Sequence, residues 1–344
     1  MSKKIWIVPI EPVETRYTWD WHTHIPNIVQ DAGFDYEQIE VEMEPPKADK
    51  SDFLNWTATN IFKARQVEEI ARRFENGEVK NGDVFLFTDF WNPCVVQVRY
   101  MAVMLGIDIK IVGLAHAGAY DEWDRLAIKS CERGDIIWAF SAEQAFKFTY
   151  DKIVFATEFH RALFEATHGV APRHTVAGFP MEYIDRYTFS KPISRGNKAK
   201  IIFSQRLAPE KQPEMFERLK EILGDEHYTY VNVLEKYGNP TKDQYYSELL
   251  SSDIYVSFSL QETLGITPYE AYKCGCAILV PDRLSYTEIW EDQFKYPSDE
   301  TVEEIAQRIE GLVLDSCYQD RSTQGERLDK YFGSKQLMEI LRNV

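Results

Sequence analysis

The sequence predicts an α/β protein built from two doubly wound domains, and three observations carry that reading. Short apolar runs with the look of buried strands alternate with helical stretches. The alternation breaks at one polar segment and then restarts. A length of 344 residues exceeds one ordinary core and suits two.

In the first half, Ile5 to Ile10 reads as a buried strand, and Gly82-Asp83 leads into a second, Val84 to Phe87. Pro93 to Leu105 has a helical pattern stopped by Gly106, and Ile107 to Leu114 is a third strand. Ile136 to Phe140, Ile153 to Ala156 and Thr175 to Ala177 are shorter strand candidates. Residues 188 to 199 are polar, contain Pro192 and Gly196, lack periodicity and read as a linker. Beyond it, Lys200 to Phe203 is a strand, and Pro213 to Leu223 is an amphipathic helix ended by Gly224. Tyr228 to Val233, Asp253 to Phe258 and Ala277 to Val280 are further strands. The domains are expected over 1–188 and 189–331, with a C-terminal helix at 332–344 that returns to the first.

Bulk composition narrows the function classes. Hydrophobic residues make up 44% and charged residues 27%, which is globular and not disordered. A formal net charge of -16 argues against a broadly basic nucleic-acid surface while leaving room for a local groove. The five cysteines lack framework spacing and suit a reducing compartment; Cys274 and Cys276 read as small buried residues around Gly275. The first apolar run is too short for a signal peptide and meets Pro9, and no run approaches the roughly 20 residues of a membrane helix, so a cytoplasmic protein is expected.

The most informative stretch is Gln261-Glu262-Thr263-Leu264-Gly265-Ile266-Thr267-Pro268-Tyr269-Glu270-Ala271, directly after the strand from Asp253 to Phe258. Thr267 suits an N-cap, Pro268 the first helical position and Glu270 the acid of a capping box. A helix starting there points its free N–H groups out of the sheet's carboxyl edge, where anions and ligands bind in open α/β sheets.

Glu262 and Glu270, separated by seven residues and followed by Ala271 and Gly275, resemble the E-x7-E motif of retaining GT-B glycosyltransferases, glycosyltransferase family 4 in particular. Phe203-Ser204-Gln205-Arg206-Leu207-Ala208-Pro209-Glu210-Lys211 resembles that family's strand-end segment with one Arg and one Lys. Val176 to Pro180 and Ile153 to Phe164 resemble the close of its N-terminal domain. The resemblance covers about residues 150 to 290 and implies a GT-B fold, two Rossmann-like domains facing a central cleft. It implies that Arg206 and Lys211 grip a donor diphosphate and stabilise the leaving group. It further implies that Glu270 accepts from the ribose hydroxyls, that Glu262 meets the transferred sugar, and that the backbone at Leu264, Gly265, Ile266 and Thr267 holds phosphate or sugar oxygens. Taken singly, each also fits a plainer role: Glu270 a capping acid, Glu262 a loop acid, Arg206 and Lys211 a solvated pair at a helix entry.

In the first half, His116 follows the strand ending at Leu114, at a sheet's carboxyl edge, and in the family a His from this region lies near the donor sugar. It equally fits a packed histidine. Asp121 and Asp124 follow, as acceptor-orienting acids or solvated loop residues. The first loop lacks the family's glycine pair; Pro12 to His24 instead carries Arg16, Trp19 and His24, which suit stacking on a flat or sugar-like acceptor or the packing of a helix start. His22 and His24 lack further metal-ligand partners, and no DxD-type site is present, so no obligatory metal or other cofactor is expected beyond a nucleotide-diphosphate sugar as donor, UDP-linked by preference.

The reaction implied is transfer with retention to an acceptor hydroxyl. Ile5 to Tyr17 resembles the openings of phage-encoded glycosyltransferases, some of which modify hydroxymethylated pyrimidines, so a DNA base is the first acceptor expectation, in a host cytoplasm. A local basic strip of Arg161, Arg173, Arg186, Lys191, Arg195 and Lys198 would be needed for DNA, and a solvated linker explains the same charges. A glycan, lipid-linked sugar or small metabolite is the alternative acceptor. An epimerase or phosphorylase on the same fold, and a non-catalytic nucleotide-sugar-binding protein, are the other function classes.

Overall fold

The structure, a computed structural model, describes residues 3–42, 55–188, 197–315 and 319–344. The chain divides into two compact units, Met1–Pro180 with Ser334–Val344, and Met181–Gly333.

The first unit runs β1 Lys4–Val8, α1 Tyr17–Asp31, β2 Asp35–Gln38, α2 Trp56–Glu75, β3 Val84–Phe87, α3 Cys94–Leu105, β4 Lys110–Ala115, α4 Arg125–Arg133, α5 Ile136–Thr149, β5 Lys152–Phe155, α6 Glu158–His168 and β6 His174–Val176. Its strands form one parallel sheet in the order β2-β1-β3-β4-β5-β6. The central strands are apolar on both faces because helices cover both: Trp6, Phe85 and Phe155 on one face and Ile7, Leu86 and Val154 on the other are fully buried. Gly113 on β4 has a packing reason. A Cβ there would stand 2.5 Å from the Tyr150 ring, which lies across the strand with Phe87 and Phe90 around it.

The second unit runs α7 Asp185–Thr188, β7 Ala199–Phe203, α8 Pro213–Leu223, β8 Tyr228–Asn232, α9 Val233–Tyr237, α10 Lys242–Leu250, β9 Ile254–Val256, α11 Ile266–Lys273, β10 Ala277–Pro281, α12 Tyr286–Ile289, β11 Lys295–Tyr296, α13 Val302–Leu314 and α14 Gln324–Phe332. Its sheet is parallel, ordered β11-β10-β9-β7-β8. Phe203, Phe216, Leu219, Ile254 and Val256 fill the core between the sheet and α8. The last helix, α15 Lys335–Asn343, counts with the first unit, where the Lys3 ammonium donates to the Arg342 and Val344 carbonyls.

Both sheets reverse direction once. In each, the first strand of the unit sits inside the sheet and the chain steps to one side, then crosses back. The switch points lie between β1 and β3 and between β7 and β9. Crevices for ligands open outside the carboxyl ends of such strand pairs.

Three local expectations are corrected. Ile136 to Phe140 is not a strand but the first turn of α5; Ala139, Glu143 and Phe146 are buried at helical spacing, and a short apolar run alone does not distinguish the two. Tyr17 to His24 is not loop but α1, which puts Trp19 and His24 on a helix. Thr267 is not an N-cap: α11 begins two residues earlier than that cap would place it, with Gly265 in the cap position at φ 83°, and no side chain caps it. No helix among the described residues is long and apolar enough to cross a membrane.

Candidate functional site

The loops leaving β7 and β9 meet at the second switch point. After β7 the chain runs through Ser204 to Ala208 into a single 3-10 turn, Pro209–Lys211, where Pro209 pre-sets the backbone. The Leu260 N–H donates to the Glu210 carbonyl at 2.7 Å, which ties this turn to the loop after β9. The tie brings Lys211 and Glu262 together. The buried Lys211 ammonium donates to the Gln261 carbonyl and lies 3.3 Å from Glu262 Oε2. Arg206 is held by Glu210 at 3.0 Å, with its guanidinium about half exposed.

The floor of this loop is a buried hydroxyl and amide network. Gln205 Nε2 donates to Ser259 Oγ at 2.7 Å, and Ser257 Oγ donates to Gln205 Oε1 at 3.1 Å. Arg283 clamps the loop from outside, donating to the carbonyls of Phe258 at 2.7 Å and Ser259 at 2.9 Å. Gly265 then turns the chain into α11. Its positive φ favours glycine, and a Cβ there would lie 2.7 Å from the Tyr286 ring. The backbone from Leu264 to Thr267 therefore presents the start of an eight-residue helix, with its positive dipole end.

Glu270 is on α11, buried, and does not close a capping box. Tyr245 donates to its Oε2 at 2.6 Å and Tyr246 to its Oε1 at 2.7 Å, both from α10. Burial pushes the Glu270 carboxyl above the usual carboxylate range, and the two hydroxyls pull it part of the way back. A carboxylate offers about four acceptor positions, so two remain after the tyrosines. Lys242 lies near, its ammonium over the Tyr183 and Tyr187 rings, and burial pushes it down to about 8 against the pull of Glu270. Thr267 turns its hydroxyl to Tyr255 at 2.8 Å.

In the first unit, His116 follows β4. Its Nε2 donates to the Thr88 carbonyl at 2.7 Å, so Nδ1 is the acceptor for the Tyr17 hydroxyl at 2.8 Å. Burial lowers its pKa, while Asp89 and the Thr88 carbonyl oppose the shift. Trp21 and Phe179 pack against the ring. Arg16 takes the cap position of α1, Trp19 is 43% exposed one turn on, and His24 is half-buried. Asp121 accepts from the Trp123 N–H at 3.0 Å, and Asp124 caps α4 through the Leu126 N–H at 2.8 Å. The structure thus gathers Tyr17 and His116, with Arg16 next in chain, while Asp121 and Asp124 serve their own turns.

Sequence reasoning missed two groups. One is the tyrosine pair on Glu270, which sits 24 and 25 residues away with no motif of its own. The other occupies the first switch point. Lys63 on α2 donates to Asp89 Oδ2 at 2.6 Å and to the Trp91 carbonyl at 2.7 Å, with Glu11 Oε1 at 3.6 Å, all buried. Among the described residues, no group of three or more His, Cys, Asp or Glu side chains is arranged to hold a metal.

The two parallel doubly wound sheets define an α/β protein of the GT-B class. Within it, residues 217–330 match the family described as Glycosyl transferases group 1. Sucrose-phosphate synthase from Thermosynechococcus elongatus has the same fold at TM-score 0.65, with 10% identity over 99% of this chain and 98% of that one. The structure of Anabaena Alr3699/HepE, in complex with UDP and glucose, matches at TM-score 0.61, with 12% identity and all of both chains covered. The tRNA-queuosine alpha-mannosyltransferase of Drosophila melanogaster is 33% identical over 84 residues, which is 24% of this chain and 20% of that protein. The chain thus spans only about a fifth of the length of this relative.

Proposed function

We propose that the protein is a retaining glycosyltransferase that moves a sugar from a nucleoside diphosphate sugar, UDP-linked in this reading, to an acceptor hydroxyl. The observation that carries the reading is the meeting of Lys211 and Glu262 at the β7/β9 switch point, in front of the start of α11. The group 1 match across the same unit supports it.

Lys211 and Arg206 neutralise the diphosphate and the charge that grows on it as the sugar leaves. The N–H groups from Leu264 to Thr267 donate to its oxygens. Glu270 uses its two remaining acceptor positions for the ribose hydroxyls, and Glu262 orients the sugar. The bond from the anomeric carbon to the phosphate oxygen breaks, and the bond to the acceptor oxygen forms on the same face. The acceptor's proton passes to the departing phosphate oxygen. His116 is assigned to the reacting sugar, and Arg16, Trp19, His24 and Asp121 to the acceptor side.

For the acceptor, a glycan, lipid-linked sugar or small metabolite is favoured over a DNA base. Of the basic strip that DNA would need, Arg161 pairs with Glu158 at 2.6 Å, and Arg173 donates to the carbonyls of Lys147, Phe148 and Tyr150. Lys198 donates to the Asp225 carbonyl, Arg186 lies over Tyr183 and Tyr187, and Lys191 and Arg195 are outside the described residues. The test is titration calorimetry with UDP, followed by incubation of UDP-sugars with sugar phosphates, oligosaccharides, lipid-linked sugars and hydroxymethylated DNA, with NMR of the product anomer. Binding of UDP and a product of retained configuration are expected. Absence of nucleotide binding, or an inverted product, overturns the reading, and transfer to DNA alone overturns the acceptor class.

A further inference from the structure

Four helices of the first unit lie side by side on one sheet face, in the order α2, α3, α5, α6. Their outer surfaces differ in kind. On α2 the solvent side carries the pair Glu68 and Arg72, and on α6 the pair Glu158 and Arg161. Between them, the solvent-facing positions of α3 and α5 carry no charge. Tyr100, Val103 and Met104 of α3 are 64%, 67% and 67% exposed, and Ile137, Trp138 and Phe148 of α5 are 76%, 59% and 70% exposed. The spacing of these residues puts each set on one helical face. The two helices run alongside each other: Trp91 meets Trp138 at their starts, and Arg99 reaches the Thr149 carbonyl at the end of α5. The exposed residues therefore all lie on the outer side of one helix pair.

An uncharged surface of this kind is unexpected in a chain whose net charge is -16. These six residues present on the order of 800 Å² to solvent, beyond the usual largest apolar patch of a monomer and equal to one side of a standard interface. An apolar centre with a charged rim on both flanks is the anatomy of a protein contact.

We propose that this α3/α5 face is where a second copy of the chain docks, in an isologous twofold dimer that stacks α3 and α5 of one protomer on those of its partner. Charge decides among the occupants. A second copy brings the same uncharged patch, so no ion loses water without a partner in the centre, and the like net charges of the two copies stay at the periphery. An anionic lipid surface would meet a strongly acidic chain. The basic groups nearest Phe148 are already committed, Arg173 to the carbonyls of Lys147, Phe148 and Tyr150, and Lys147 to those of His168 and Gly169. The proposal uses nothing of the donor site and stands or falls apart from the proposed activity.

The test is sedimentation equilibrium of the full chain between about 0.1 and 50 μM. Twice the chain mass of 40.2 kDa is expected at the upper end. The double variant Val103→Glu/Ile137→Glu changes only exposed positions and is expected to raise the dimer dissociation constant at least 100-fold, with circular dichroism and thermal midpoint unchanged. Tyr100→Ala, a milder change, is expected to raise it about tenfold. A monomer throughout overturns the proposal, as does a dimer indifferent to both variants. Cosedimentation of a monomeric chain with phosphatidylglycerol/phosphatidylcholine vesicles, abolished by the double variant, overturns it in favour of a lipid surface.

Discussion

At the carboxyl end of β1 and β3, one buried ammonium faces two carboxyls: Lys63 pairs with Asp89 at 2.6 Å, and burial pushes the Glu11 carboxyl above the usual range. At the carboxyl end of β7 and β9, the same kind of switch point is arranged otherwise. Lys211 touches Glu262 at 3.3 Å, Arg206 keeps about half of its side chain in solvent, and a helix start opens beside them. The two crevices share a topology and a buried lysine, and differ in the second cation, Arg206, which lies beside Glu210 with its side chain 44% exposed. An ion pair buried on all sides contributes order and resists change, whereas a cation left partly in water is available to an incoming anion. Topology therefore nominates two places for a ligand, and charge accounting favours the second for an anionic one.

Lys63→Met would break this comparison most visibly. It leaves Asp89 buried without its cation, which costs about 3–5 kcal/mol. Urea unfolding is expected to show that loss, while the UDP affinity of the folded protein stays within twofold; an unaltered midpoint would mean the pair is not the internal brace described. Lys211→Ala is expected to weigh on turnover instead, lowering kcat/KM by about 100- to 1,000-fold, with a stability loss smaller than that of Lys63→Met because Glu262 keeps part of its side chain in solvent. Turnover at the wild-type level would remove the proposed role of the second switch point. Gly265→Ala tests the loop between these extremes. The positive φ and the 2.7 Å approach to Tyr286 predict a stability loss of about 1–3 kcal/mol, read as a lower thermal midpoint, with weaker UDP binding.

The smallest effect expected is in pH. In the proposed role Glu270 accepts from ribose best when ionised, and burial holds its carboxyl above the usual range, so UDP affinity is expected to fall as pH drops through that raised value. Tyr246→Phe removes a hydrogen bond that favours the ionised form, so the fall should begin at higher pH. Lys242 loses its charge as pH rises through about 8, which predicts a second, alkaline decline. Lys242→Met should flatten that alkaline limb and, because the ammonium favours ionised Glu270, start the acid fall at higher pH; calorimetric Kd values across pH 5 to 9 would show either limb misassigned.

Much of the fold was legible because its signals are local. The β3 run Val84–Phe87 and the α8 helix Pro213–Leu223 were readable from apolar runs and periodicity with the observed bounds. α5 was misread because Ile136 to Phe140 satisfies both periods over five residues, and only the packing of Phe146 and Glu143 selects the helix. The cap of α11 was misread because Thr267 offers a good capping side chain, yet Gly265 and the Tyr255 hydroxyl displace it. Arg206, Lys211, Glu262 and Glu270 were named from a spacing, and the partners that set their charge were not.

By itself, the sequence determined that this chain makes two parallel sheets, and that a helix starts a few residues after Glu262, behind the strand that ends near Phe258. Those properties depend on residues a few positions apart, which interact whatever the rest of the chain does. Tertiary structure alone decided which charges are closed off and which face solvent. Tyr245 and Tyr246 reach Glu270, Lys63 reaches Asp89, and α3 comes to lie beside α5 only after strands distant in sequence pair. The energy of a buried charge is set by those neighbours, and no periodicity along the chain records them.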